Sequence, residues 1–293
     1  VAWRSILISQ PARLAVKNRQ LLLEQDMGLS ATIPLEDIAV VVLETPQATI
    51  TSALLAELAA HDVAVITCDE THHPNGVLLP YLPHSRAFKV MQQQLALTLP
   101  QKKRAWQGVI QQKIRNQAFC LDVFKPQAGR FLRDQAERVR SGDPDNREAS
   151  SARYYFIELF GDEFTRDKPC WQNSALNYGY AIFRAAIARS LVCYGFLPAF
   201  GLQHHNQLNT FNLADDFIEP LRPVVDVWVR QQNTTSSELS STDKAALIQL
   251  LYTDVNMPYG AMNVLSAIDH MAQCFGRFCS TGDLNELAWP KLA

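Results

Sequence analysis

The chain has 293 residues, of which 47% are hydrophobic and 19% charged, and its 27 basic and 29 acidic side chains leave a net charge of -2. This composition excludes a disordered or fibrous protein, and the length accommodates two domains. The longest aliphatic run, Ile38 to Leu43, is far too short to cross a bilayer, and no basic segment followed by an apolar one opens the chain. A cytoplasmic location with no membrane partner is therefore expected. The first residue is Val1, which implies a start one residue upstream at an initiator methionine.

The amino-terminal part reads as β-rich. Ser5 to Ser9, Arg13 to Lys17 and Gln20 to Leu23 alternate or are apolar, and Ile38 to Leu43 has the continuous apolar pattern of a strand buried on both faces. Helical spacing follows from Thr51 to His61, with Leu54, Leu55, Leu58 and Ala59 on one side, before Val63 to Thr67 resumes a strand. Cys68-Asp69-Glu70-Thr71-His72-His73 could be read as a zinc cluster, but adjacent histidines point apart, and a strand end running into an exposed loop is the preferred reading. Pro74, Asn75, Gly76, Pro80 and Pro83 then punctuate the chain, which places a domain boundary at residues 80–90.

Helix signals dominate beyond that boundary. Arg86 to Leu99 is expected to end before Pro100, and Lys102 to Phe124 before Pro126. Asp143, Pro144 and Asp145 offer cap and first-turn chemistry for a helix reaching Phe160, with Gly161 to stop it. Ser174 is a candidate cap for Ala175 to Tyr194, which Gly195 terminates. Asn233 to Asp243 reads as a surface loop, and two more helices are expected at Thr242 to Tyr252 and Ala261 to Phe278. The fold class is thus α+β: a small β-sandwich-like domain with one helix over residues 1–85, then a larger all-helical domain over residues 86–293. The six scattered cysteines, with no Cys-x-x-Cys pair, read as reduced thiols.

The charge is unevenly distributed. Residues 1–85 carry 4 basic and 9 acidic side chains, residues 86–153 carry 14 and 6, and residues 154–293 carry 9 and 14. The local balances are therefore -5, +8 and -5. A basic segment inside an acidic chain suits a polyanion, because cations that neutralise phosphates release counterions. Lys102, Lys103, Arg104, Lys113, Arg138, Arg140 and Arg147 lie in it. Solvated helix faces would produce the same count.

Three clusters carry potential chemistry. Gly201-Leu-Gln-His204-His205-Asn206 lies in a polar loop, and Asp216-Phe-Ile-Glu219-Pro220-Leu-Arg222-Pro223 follows it. Asp216 and Glu219 share a helix face, and two carboxylates forced together repel unless a cation or a proton sits between them. With an imidazole nearby they could bind a divalent metal, Mg2+ or Mn2+; equally they could be an acidic first helical turn beside a solvated histidine. Glu148 is a third carboxylate, but Asp145 and Glu148 also have capping-box spacing.

Together these motifs resemble the Cas-one (Cas1) family of CRISPR-associated proteins. Its members carry a Glu-Ala-x-x-Ala-x-Tyr-type helix, a Gly-x-x-His loop and an Asp-x-x-Glu-Pro-x-Arg-Pro run, which here are Glu148 to Tyr154, Gly201 to His204, and Asp216 to Pro223. Asn173 to Tyr180 matches a family helix between them, Ile33 to Glu44 is similar to the amino-terminal β domain, and His204 to Leu213 is similar to the type II branch.

The resemblance implies an integrase and DNA endonuclease that inserts short duplexes into the CRISPR repeat array by metal-dependent phosphoryl transfer. It makes Glu148, His204 and Glu219 the metal ligands, gives Asp216 a supporting role, and assigns Arg222 to a carboxylate or phosphate. His205 is left for DNA or a partner subunit. The basic residues, with Tyr154 by family position, become DNA contacts. Residues 1–85 would serve dimerisation and partner contact. The implied partners are double-stranded DNA, a second copy of the chain, a dimer of the Cas-two (Cas2) protein, and, more remotely, other type II adaptation proteins and the Cas-nine effector. A structure-selective repair nuclease and a non-catalytic DNA scaffold are the alternatives.

Overall fold

A computed structural model describes residues 4–25, 28–81, 84–232, 234 and 236–292. Three of the residues used in the sequence reading, Val1, Pro83 and Asn233, lie outside this set. The amino-terminal part holds β1 (Arg4–Ile8), β2 (Ala12–Lys17), β3 (Gln20–Glu24), β4 (Ser30–Pro34), β5 (Ile38–Leu43), β6 (Ala48–Ile50), α1 (Ser52–Ala60), β7 (Ala64–Cys68) and β8 (Pro74–Leu78). They form two four-stranded sheets, ordered β1-β5-β7-β8 and β4-β3-β2-β6. In the first sheet β1, β5 and β7 are parallel and β8 turns back antiparallel on β7. The β-rich region therefore has the sandwich-like form expected, with β4, β6 and β8 added to the five strands read from the sequence.

The apolar run of β5 is explained by burial on both faces. Ile38 and Val41 pack with Leu14, Leu21, Leu54 and Leu58 in a core between the sheets and α1. Val40 and Val42, with Ile66 of β7, join the core of the helical part instead. Thr51 caps α1 by accepting from the Leu54 N–H, as its position before the helical pattern suggests. Cys68 ends β7, and the Asp69 carboxylate accepts from the Thr71 and His73 N–H groups, so this cluster is a strand end and an exposed turn. All six cysteines are free thiols.

The carboxy-terminal part holds α2 (Ala87–Leu95), α3 (Leu99–Phe124), α4 (Arg130–Glu137), α5 (Arg147–Phe160), α6 (Trp171–Cys193), α7 (Asn212–Ile218), α8 (Arg222–Gln231), α9 (Ser241–Gln249) and α10 (Val264–Thr281). It is mostly helical but not all-helical. Asp254–Met257 (β9) and Gly260–Asn263 (β10) form an antiparallel hairpin. Val255 and Met257 alternate into the core, Pro258 and Tyr259 make the turn, and Gly260 takes a φ of 125° that a side chain would oppose. Residues 261–263, expected in the last helix, are thus strand, and Asn263 caps α10 by accepting from the Ser266 N–H at 2.9 Å.

Three helix ends also differ from expectation. Pro100 does not end α2; it sits in the first turn of α3, where a missing N–H is harmless, and Thr98 with Gln101 makes the capping box. Ser174 lies inside α6 rather than capping it. The Asp145–Glu148 capping box does not form, because Asp143 accepts from both the Arg147 and Glu148 N–H groups at 2.9 Å. The polar loop before α9 ends at Ser240, which caps that helix. No helix among the described residues is long and apolar enough to cross a membrane.

One buried ion pair ties the first sheet to the helices. Lys244 Nζ of α9 lies 2.5 Å from Glu44 Oε1 at the end of β5, and both side chains are almost wholly covered. Lys244→Met leaves the buried Glu44 with only the exposed His72 ring, 3.7 Å away, near it, and is expected to cost about 3 kcal/mol, read as a lower urea midpoint. The Lys244→Met/Glu44→Gln double variant, with no charge left to bury, should recover most of that loss.

Candidate active site

The long helix α3 is the spine of the site. Trp106, Val109, Ile110, Lys113, Ile114 and Gln117 follow helical spacing and are all buried, so a lysine stands in the middle of an apolar stripe. Its ammonium lies 2.7 Å from Glu148 Oε1 and 2.5 Å from Glu219 Oε2. The lysine side chain is 9% exposed. Burial pulls the Lys113 pKa down, but Glu219 and Glu148 outweigh it and the net displacement is upward.

Glu148 sits in the first turn of α5 and is partly exposed. With Asp143 already capping the helix, the Glu148 side chain is free to reach across to α3 rather than back to its own backbone. Glu219 begins a 3-10 turn, Glu219–Leu221, between α7 and α8. Pro220 and Pro223 each lack an N–H, so the α-helical ladder is interrupted here and tightens. The carbonyl of Pro220 is satisfied by the Asn116 amide of α3 at 2.7 Å. Glu219 is buried, yet Arg222 and Lys113 overcome the burial and hold its carboxyl down at about 2. Arg222 Nε donates to Glu219 Oε1 at 2.9 Å, and its guanidinium lies 4.5 Å from the Tyr180 ring centre.

His204 belongs to the loop between α6 and α7. Asp216, fully buried on α7, accepts the backbone N–H groups of Leu202, Gln203 and His204 and lies 2.8 Å from His204 Nδ1. A carboxylate surrounded by N–H groups acts as acceptor, so Nδ1 donates and Nε2 is the ring nitrogen that Asp216 does not engage. The hydrogen bond to Asp216 raises the His204 pKa despite burial, while burial pushes Asp216 up. Gly201 is required here, since a Cβ would come within 2.4 Å of the His204 carbonyl oxygen and 2.6 Å of Asp216 Oδ2. The His204 ring stands edge-on to Trp106, two turns before Lys113 on α3, with ring centres 5.7 Å apart. His205 is exposed, with Nδ1 2.7 Å from the Gln203 carbonyl oxygen.

The structure therefore brings Glu148 and Glu219 onto one cation, with His204 within electrostatic reach of Glu219. The donor chemistry fits a small divalent ion. Two carboxylates and a carboxylate-oriented imidazole are hard and borderline ligands, and Glu219 Oε2 has no hydrogen bond among the described residues, because Lys113 approaches it outside bonding angles. No three such side chains among the described residues already close round an ion; between the carboxylates stands the Lys113 ammonium.

The profile of the family described as CRISPR associated protein Cas1 matches residues 6–152 and 171–243. The chain is also 44% identical, over all of its length and 97% of the relative's, to the CRISPR-associated endonuclease Cas1 of Neisseria meningitidis serogroup C. The chain belongs to the CRISPR-associated Cas1 family. A second relative, the CRISPR-associated endonuclease Cas1 2 of Pyrobaculum aerophilum, is 26% identical over 77% of this chain and 81% of its own. The fold agrees with that of a Cas1 protein from Thermotoga maritima, with a TM-score of 0.75 at 17% identity, covering 95% of this chain and 97% of that one. It also agrees with that of a casposase bound to integration product, with a TM-score of 0.77 at 15% identity, covering 96% and 92%.

Several basic residues singled out from the sequence lie near the loop before α5, while Tyr154 lies two turns into that helix. Gly142 donates to the Lys103 carbonyl, which joins the loop before α5 to the first turns of α3. Lys103, Arg104, Arg138 and Arg140 are exposed there and Lys102 is partly so. Arg140 is engaged by Asp145, Arg147 donates to Gln135 at 2.7 Å, and Tyr154 packs on Phe131. Lys113 is the exception among the basic residues: it is a buried partner of carboxylates and not part of an exposed cationic face. A lysine in phase with Trp106, Val109 and Ile110 was the signal for this.

Sequence reasoning also missed the layer behind the site. Asp226 of α8 is buried and accepts the hydroxyls of Tyr155, at 2.8 Å, and Tyr180. Burial lifts Asp226 from 3.8 to about 6, although both tyrosines and Arg222 pull it down. An acid raised on folding contributes stability that is complete below its unfolded value and lost as pH rises through its folded one. Asp226→Asn, which never ionises, should therefore gain on the parent by up to about 3 kcal/mol between pH 4 and 6 and stay level above that. Urea unfolding across that pH range measures it.

Proposed function

We propose that this chain is the integrase of CRISPR adaptation, an enzyme that joins the 3′-hydroxyl of a short duplex to a phosphodiester of repeat DNA. Water in place of the hydroxyl would give endonuclease activity. The observation that carries this reading is the meeting of Glu148 of α5 and Glu219 of the 3-10 turn on one cation, with the His204 ring fixed through its Nδ1 by Asp216. The relatives named as endonucleases and the casposase titled as bound to integration product support it.

Glu148, Glu219 and His204 would hold Mg2+ or Mn2+, which supplies polarisation of the scissile phosphate and neutralises charge gathering on its oxygens. The chain's own residues do the rest. Asp216 holds the His204 ring and its Nδ1 proton, so that Nε2 is the atom offered, and any proton on Nε2 must leave first. Arg222 keeps Glu219 ionised and aimed. Lys102, Lys103, Arg104, Arg138, Arg140 and Arg147, with Tyr154, would track DNA phosphates beside the amino end of α5 without reading bases. Double-stranded DNA, a homodimer and a Cas2 dimer are the partners proposed, in keeping with neighbours titled as Cas1–Cas2 and Cas1–DNA complexes. The type II branch, and with it the Cas-nine effector and other adaptation proteins, rests on the resemblance of residues 204–213.

The test is the joining of a labelled short duplex to a repeat-bearing plasmid, with and without Cas2. Joining should require Mg2+ or Mn2+ and fall by about a hundredfold or more in Glu148→Gln and His204→Ala, while DNA binding persists. Joining unaffected by chelator would refute the reading, and cutting that ignores the repeat would favour a repair nuclease.

A further inference from the structure

Lys113 occupies the place where a cation is needed, and the charges around it are already balanced. Glu148 and Glu219 contribute two negative charges, and Lys113 and Arg222 two positive ones, with Arg222 on Glu219 Oε1 and Lys113 on Glu219 Oε2. A divalent ion added to this set would face the ammonium at close range in a poorly hydrated setting, where like charges repel strongly. Four residues further along α3 lies Gln117, whose Oε1 is buried and has no hydrogen-bond partner among the described residues. Lys113, Gln117, Glu219 and Asp226, with Arg166 and Arg222, line one cavity of about 190 Å³, in which the Asp226 carboxylate and the free Gln117 oxygen are the acceptors that offset the two guanidinium groups. The ammonium thus has both a reason to leave and a place to go.

We infer that Lys113 is a resident counter-cation, which holds Glu148 and Glu219 together before the metal arrives and then yields its place by swinging into this cavity toward Gln117. Lys113 is on this view a positioning residue that sets metal affinity rather than a ligand. Two consequences follow from charge alone. The metal-free protein is stabilised by the lysine, and the metal binds against it, so affinity rises when an anionic phosphate enters beside the ion.

The inference rests on the metal reading of Glu148 and Glu219, and the test separates the two. Mn2+ binding is measured by calorimetry on the full chain without DNA, alongside melting in EDTA and in Mn2+. Lys113→Met should melt lower in EDTA, bind Mn2+ about tenfold tighter, equivalent to roughly 1.4 kcal/mol, and show a larger Mn2+-induced rise in melting temperature than the parent. Gln117→Met, which removes the receiving acceptor but leaves the ammonium, should bind Mn2+ about threefold more weakly with melting in EDTA unchanged or raised. Saturable Mn2+ binding by the parent that Glu148→Gln abolishes, but that Lys113→Met leaves equal or weaker, overturns the exchange and leaves the metal site standing. If Lys113→Met folds neither with nor without Mn2+, the ion cannot replace the ammonium and the inference is again overturned. Absence of saturable Mn2+ binding in parent and variants alike would instead remove the metal reading itself.

Discussion

Glu148 and Glu219 approach a common point inside the protein, and the need to neutralise them there constrains much of the helical region around it. A buried carboxylate without a partner costs several kcal/mol, so each oxygen facing inward has to meet a cation or a donor. Lys113 meets both side chains and Arg222 takes the second oxygen of Glu219. Behind them, Asp226 is met by two tyrosine hydroxyls, and Arg222 lies over the ring of one of those tyrosines. Asp216 is met by three backbone N–H groups and an imidazole. Four carboxylates therefore sit close together without a bare charge among them, and the donors come from α3, α5, α6, α8 and the loop before α7.

The helix that supplies Lys113 also supplies the rest of the frame. Trp106 stands against the His204 ring, and Asn116 donates to the carbonyls of Pro220 and Pro290. The interrupted turn that presents Glu219 would otherwise bury an unsatisfied carbonyl. The sheets contribute through β5, whose two faces belong to two different cores, and through the Glu44–Lys244 pair. The two glutamates are thus carried by helical elements packed into the core, with His204 carried by a loop that Asp216 pins, which suits chemistry that depends on oxygen positions.

Much of this was legible in the chain. The unbroken apolar run of β5 announced a strand covered on both faces, Gly161 and Gly195 marked helix ends, and the two motifs around His204 and Asp216 named two residues that do meet. Glu148 was ambiguous, since it has capping-box spacing as well as a place in the family motif; Asp143, which caps α5 from outside the helix, removes the capping-box reading. Residues 261–263 of β10 fit a helix start because Ala261 and Met262 are good helix formers, and the turn at Pro258 and Tyr259 instead pairs them with β9.

By itself, the sequence determined the β-then-helical order of the chain, the apolar stripes and the family motifs, because these depend on local periodicity and on residue types at fixed short spacings. Only the tertiary structure decided what lies between the two glutamates. Lys113 counts in the sequence as one more basic residue in a basic segment, and its role arises when α3 packs so that α5 and the 3-10 turn close on the same point. That meeting joins residues 35 and 71 positions apart in the chain, and no short-range pattern records it.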